Sequence, residues 1–150
     1  MRDGGGDSDA GAALIGAFIH NATTGFWCDA RHHCTANHPN DSVPLLNLPL
    51  VVLIDRRCAS ACDAFSNAVK DLKLGKLVGT RTAGEVSGPA DLYGLDDGTA
   101  LSLPKYIQIE APGEIVDTIG VAPDIDIPVK SADLSAGQDL ALQKAEELLR

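Results

Sequence analysis

The segment Leu50-Val51-Val52-Leu53-Ile54, followed by Asp55-Arg56-Arg57, constrains this chain more than any other. A continuous aliphatic and β-branched run of this length, ended by charged turn residues, reads as a strand covered on both faces in a parallel sheet. From Ala61 to about Leu72 the apolar positions Ala61, Ala64, Phe65, Ala68, Val69 and Leu72 fall at helical spacing, and Leu77-Val78-Gly79 supplies the next short strand. Strand, turn, helix and strand make a βαβ unit, whose ligands gather at the carboxyl end of the strand.

The flanks are read around that unit. After the turn Gly4-Gly5-Gly6, Asp7 and Ser8 can cap a helix running to about His20, with Leu14, Ile15, Phe18 and Ile19 as its apolar face. Residues 21–49, rich in Asn, His, Asp and Pro, read as a long irregular connection, a kind of loop that is usually functional or mobile. Further on, Asp97-Gly98 is a hairpin turn between Leu92 to Leu95 and Ala100 to Leu103, and Tyr106 to Ile109 is again strand-like. The turn-rich passage Gly120-Val121-Ala122-Pro123-Asp124 leads into Ile125-Asp126-Ile127-Pro128, and an amphipathic helix from about Asp139 to Leu149 closes the chain. The class is α/β with a mixed sheet.

Composition narrows the function. The 150 residues are 45% hydrophobic and 22% charged, enough for one core of ordinary size and a single domain. Lys and Arg number 12 against 21 Asp and Glu, a formal charge of -9 that repels a phosphate backbone or an anionic membrane, so nucleic acid is not an expected partner. No apolar run approaches the roughly 20 residues that cross a bilayer, and no transmembrane segment is expected. The start has no basic segment followed by an apolar stretch, so no signal peptide is expected either. Cys28, Cys34, Cys58 and Cys62 are too few for a disulfide scaffold, although 28/34 and 58/62 can each close a small loop. Cys28, His32, His33 and Cys34 also contain zinc-ligand types, but a tetrahedral site usually draws on two short pairs separated by a longer loop, so no metal is expected.

Ser60 stands between the buried strand and the helix, where its hydroxyl can emerge at the carboxyl edge of the sheet beside the amide of Ala61. Acyl transfer needs a serine so placed, because the free amides of a helix N-terminus carry the partial positive charge that a tetrahedral oxyanion requires. A plainer reading competes. Ser60-Ala61-Cys62-Asp63 also matches the Ser/Thr-x-x-acid capping box, in which the serine merely caps the helix.

Arg2-Asp3-Gly4-Gly5-Gly6, the stretch from Val51 to Phe65, Leu77-Val78-Gly79-Thr80-Arg81-Thr82-Ala83-Gly84, Asp97-Gly98-Thr99-Ala100-Leu101 and Gly120-Val121-Ala122-Pro123-Asp124-Ile125 follow one another in this order. Together they resemble the landmarks of the C-terminal-processing (tail-specific) serine peptidases, including the branch represented by the tricorn protease core. The resemblance implies Ser60 as nucleophile, the amides of Ala61 and of Gly5 or Gly6 as oxyanion hole, and no metal or nucleotide cofactor. The fold it implies is the crotonase-like, Clp-protease-like spiral of β-β-α units. It also implies a peptide or unfolded-protein substrate and a periplasmic or secreted parent protein with N-terminal domains beyond residues 1–150, of which this chain is the catalytic half. The same fold family includes binding modules that hold apolar ligands without catalysis, which is the alternative reading.

Three departures qualify the resemblance. Glu85 stands where members of the Ser-Lys type carry their lysine base, and a carboxylate does not replace a desolvated amine. The chain is therefore closer to the tricorn-like branch, whose histidine base comes from a preceding region and whose acidic residue matches Asp117, with Glu114 as the alternative. Gly4 replaces the usual asparagine at the chain start, which looks truncated; His20, His32, His33 and His38 are bases by type but lie in no matching motif. Cys62 takes a place where small or serine residues are common, and can pair with Cys58 or pack in the helix.

Overall fold

The structure, a computed structural model, describes residues 4–86, 90–109 and 115–150. Arg2, Asp3 and Glu114, which the motifs single out, lie outside the described residues. The order is α1 (Ser8–Gly16), β1 (Gly25–Asp29), β2 (Cys34–Asn37), β3 (Leu50–Ile54), α2 (Ala61–Asp71), β4 (Gly75–Gly79), β5 (Ala90–Gly94), β6 (Ala100–Pro104), β7 (Tyr106–Ile109), β8 (Ile125–Asp126), α3 (Ser131–Ser135) and α4 (Leu140–Leu148). Parallel and antiparallel strands are mixed, as the sequence predicts.

The βαβ unit forms with its expected parts. β3 and β4 pair in parallel with Leu50 opposite Gly75 and Ile54 opposite Gly79, and β8 extends the sheet in the order β3-β4-β8. On one side Val52, Ile54 and Leu77 join Phe65, Ala68 and Val69 of α2 and Ile15 of α1 in the main core. Leu77 is 0% exposed, so its burial contributes roughly 1.5–3 kcal/mol before conformational costs. The neighbouring Val78 points to the other face and is equally buried. The fourth helix packs on β3 and β4, burying Ala141 and Ala145, and Asp139 caps it by accepting the Leu142 amide.

Two expectations need correction. Residues 21–49 are not wholly irregular, since β1 and β2 form an antiparallel hairpin that β7 joins in the order β2-β1-β7. Its turn is built by Asp29, whose Oδ1 accepts the amides of Arg31 and His33. The first helix ends at Gly16 rather than near His20, and Gly16 there meets the main chain of Asn40, a contact that leaves no room for a side chain. The hairpin around Asp97-Gly98 is as expected, with Gly94 opposite Ala100.

Candidate active site

The turn after β3 is held by Asp55, whose main-chain oxygen accepts the Cys58 amide at 2.9 Å while its Oδ1 accepts that of Arg57 at 2.8 Å. It delivers Ser60 to the N-terminus of α2 in an unusual conformation, φ 54° and ψ -119°. A non-glycine residue with that backbone carries strain of order 1–3 kcal/mol. A capping serine would lie in the extended region with its oxygen bonded to the first turn. Ser60 does neither: its side chain makes no capping hydrogen bond, and the residue is exposed.

Asp63 completes the case against a capping box. Instead of reaching back to the helix start, this fully buried carboxylate accepts the amides of Gly84 (Oδ1, 3.0 Å) and Glu85 (Oδ2, 3.0 Å). The loop so held is bonded to the serine turn on both sides. The Ala83 amide donates to the Cys58 oxygen at 2.8 Å, and the Ser60 amide donates to the Glu85 oxygen at 2.8 Å. Glu85 thus meets the turn through its backbone while the residue itself is exposed, so nothing in its placement substitutes for a lysine base.

Gly5 lies directly on this turn. A side chain there would come within 2.7 Å of the Ser60 Cβ and 3.0 Å of the Ala61 nitrogen, besides meeting the Ala59 oxygen, and the Gly5 φ of +88° also favours glycine. Ala61 is the first residue of α2, so its amide has no partner within the helix. Ser60, Ala61 and Gly6 line one open cavity of about 280 Å³. Ile15, Trp27, Phe65 and Val86 supply its apolar walls, and Asp9, His38 and Gln108 supply polar groups.

Asp117 does not line this cavity. It is partly buried one step away, where its Oδ1 accepts the amide of the lining residue Val86 at 3.3 Å. Of the four histidines only His38 reaches the cavity. Its Nδ1 is 2.9 Å from the Ala22 carbonyl oxygen, which can only accept, so the neutral ring carries its proton on Nδ1 and leaves Nε2 as an acceptor. His20 is bonded through Nε2 to the Val43 oxygen, and His33 lies 3.4 Å from Asp29. Trp27 and His38 come to the cavity through the β1-β2 hairpin, which no local spacing announced.

Both short-range cysteine pairs are joined, Cys28 to Cys34 and Cys58 to Cys62. The thiolates that a zinc site among Cys28, His32, His33 and Cys34 would need are therefore not available. The second disulfide brackets Ser60, two residues to either side.

Ser60 is thus a strained, exposed serine at a helix N-terminus, beside a glycine turn and facing a cavity. Comparison with known proteins gives the family. The profile described as peptidase family S41 matches residues 2–127, and the chain belongs to that family. Tricorn protease homolog 1 of Streptomyces coelicolor is 38% identical over 98 residues, a match covering 65% of this chain and 9% of that protein. The crystal structure of the tricorn protease superposes with a TM-score of 0.69 at 29% identity, covering 97% of this chain and 14% of the other. The photosystem II D1 C-terminal processing protease gives a TM-score of 0.73 at 26% identity, covering 85% and 33%. The chain thus spans only about a tenth of the curated relatives' length, 9% and 10% of the first two.

Proposed function

We propose that residues 1–150 are one domain, the C-terminal catalytic half of a longer serine endopeptidase with the crotonase-like spiral fold. The observation that carries this is the backbone of Ser60, held away from the capping conformation with its side chain uncommitted, in a chain of peptidase family S41. Ser60 attacks the peptide carbonyl, and the oxyanion is stabilised by the amide of Ala61 and one from Gly5 or Gly6. The general base is a histidine from outside these residues, oriented by Asp117 close to the loop that carries Val86. The acyl-enzyme is then hydrolysed with the same base.

The substrate is a peptide or an unfolded chain end, and the apolar walls beside Ser60 give an extended segment a surface to bury. No helix among the described residues is long and apolar enough to cross a membrane. Two disulfides are compatible with an oxidising compartment, which supports a periplasmic or secreted parent protein.

The test is a fluorogenic peptide series run on the full-length protein, on its Ser60→Ala variant and on residues 1–150 alone. The full-length protein turns over, Ser60→Ala does not, and the isolated chain shows little or no turnover because it lacks the base. Ser60-dependent turnover by residues 1–150 would place the base inside them; His38, which shares the cavity, is the first histidine to replace. An inactive but folded full-length protein would favour the alternative, a binding module whose cavity holds a peptide or an apolar ligand.

A further inference from the structure

We infer that the Cys58–Cys62 disulfide and the Asp63 carboxylate are positioning groups that together hold Ser60 in its strained, reactive backbone conformation. This rests on Ser60 being the nucleophile. Ser60 has two alternative uses: relaxed into the extended region it would cap α2 and commit its hydroxyl to the helix, and strained it displays that hydroxyl to the cavity. Something must hold the second state against the first.

Two restraints converge on that residue. The disulfide closes a five-residue loop, Cys58-Ala59-Ser60-Ala61-Cys62, with Ser60 at its centre and its ends tied at a Cα separation of 5.2 Å. Both cysteines are 0% exposed, so the tie is anchored in the core rather than dangling from the surface. Relaxing Ser60 would redirect the chain on one side of it, and the anchored ends oppose that change.

Asp63 acts from the other side. Its two oxygens grip consecutive amides, Gly84 and Glu85, and Glu85 returns its carbonyl to the Ser60 amide at 2.8 Å. That bond fixes the plane of the peptide preceding Ser60, which the change to the extended conformation would have to rotate. Asp63 is itself 0% exposed and Gly84 is buried, so the Gly84 amide left unpaired by its loss could not readily turn to water. Neither group touches the place of the reacting carbonyl; each acts through the Ser60 backbone.

The experiment uses the full-length protein and reads the second-order rate at which a fluorophosphonate labels Ser60, with kcat, KM and the melting midpoint measured beside it. In Cys58→Ala/Cys62→Ala and in Asp63→Asn, labelling and kcat fall by about ten- to a hundredfold well below the melting midpoint, the range expected when strain of this size is no longer sustained. KM changes little, since the cavity walls stay in place. Cys28→Ala/Cys34→Ala, which removes the disulfide of the β1-β2 hairpin, lowers the melting midpoint without that fall in labelling. Unchanged labelling in both Cys58→Ala/Cys62→Ala and Asp63→Asn, with only the melting midpoint reduced, overturns the inference. Should the cysteine variant not fold, Asp63→Asn still decides, and peptide mapping that finds Cys58 and Cys62 as free thiols in the active protein overturns the role of the disulfide. Full turnover by Ser60→Ala would instead overturn the nucleophile assignment itself.

Discussion

The unit β3-α2-β4 and the hairpin β5-β6 are built from similarly apolar strands, yet they bury them very differently. In the first, Leu77, Val78 and Ile54 are 0% exposed and even the carboxylate of Asp63 lies in the interior. In the second, Leu92 is 74% exposed, Tyr93 50%, and Leu101 and Leu103 46% each, so the strands are held chiefly by their own ladder and turn. The difference separates two ways of specifying structure. Packing against distant segments decides the first region, and it can therefore sustain strain at one residue; local turn chemistry decides the second, which has little around it among the described residues to sustain any.

The largest expected effect belongs to the strained residue. Ser60→Ala in the full-length protein should remove about six decades of turnover, as loss of a serine nucleophile does elsewhere, while leaving the melting midpoint equal or slightly raised. A fall in activity only in proportion to lost folded protein would mean that the strain at Ser60 serves no chemistry.

Next comes Asp117, which lies beside Val86 rather than in the cavity wall. If it orients the histidine supplied from outside, Asp117→Asn should lower kcat by about four decades with KM little changed. A loss of a few-fold, matched by a shift in melting, would reduce Asp117 to a holder of the Val86 amide.

The packing contrast can be tested by truncating one leucine in each region. Leu77→Ala should cost about 2–5 kcal/mol in denaturant unfolding, because the removed atoms leave a cavity among Val52, Phe65 and Val69. Leu92→Ala should stay within about 0.5 kcal/mol, as for most surface changes. Comparable costs at both sites would show that the hairpin is covered in the protein that was measured.

What is legible in the sequence divides along a different line, between local pattern and long-range pairing. The run from Leu50 to Ile54, the helical spacing after Ala61 and the Asp97-Gly98 turn each carry their structure in a few consecutive residues, and each forms where expected. The β1-β2 hairpin is not legible locally because Gly25–Asp29 and Cys34–Asn37 are short, and β1 gains its place by pairing with β7, about eighty residues further on. Ser60 and the glycine turn were legible through the motifs around them. The spacing of Asp63 from Ser60 fits a capping box, and only the arrival of Gly84 and Glu85 from another segment gives its carboxylate different partners. Trp27 and His38 reach the cavity through long-range pairing, which no spacing near Ser60 encodes.

The smallest effect tests whether the hairpin is as locally determined as it looks. Asp97 accepts the Thr99 hydroxyl at 2.6 Å and the Thr99 amide at 2.9 Å, and these bonds, the hydroxyl first, hold its carboxyl below the usual carboxylate range. A carboxyl whose folded pKa is depressed stabilises the fold above its unfolded pKa, about 3.9, and that contribution is lost as pH falls through the lower folded value. The turn should therefore loosen only in strong acid. An NMR titration of the Asp97 side chain should give a midpoint below about 3.9, and Thr99→Val, which removes the hydroxyl but keeps the amide, should move it back toward that value. If Thr99→Val leaves the midpoint where it was, the turn owes its geometry to contacts other than this local pair, and the hairpin is not the self-specified element that its exposure suggests.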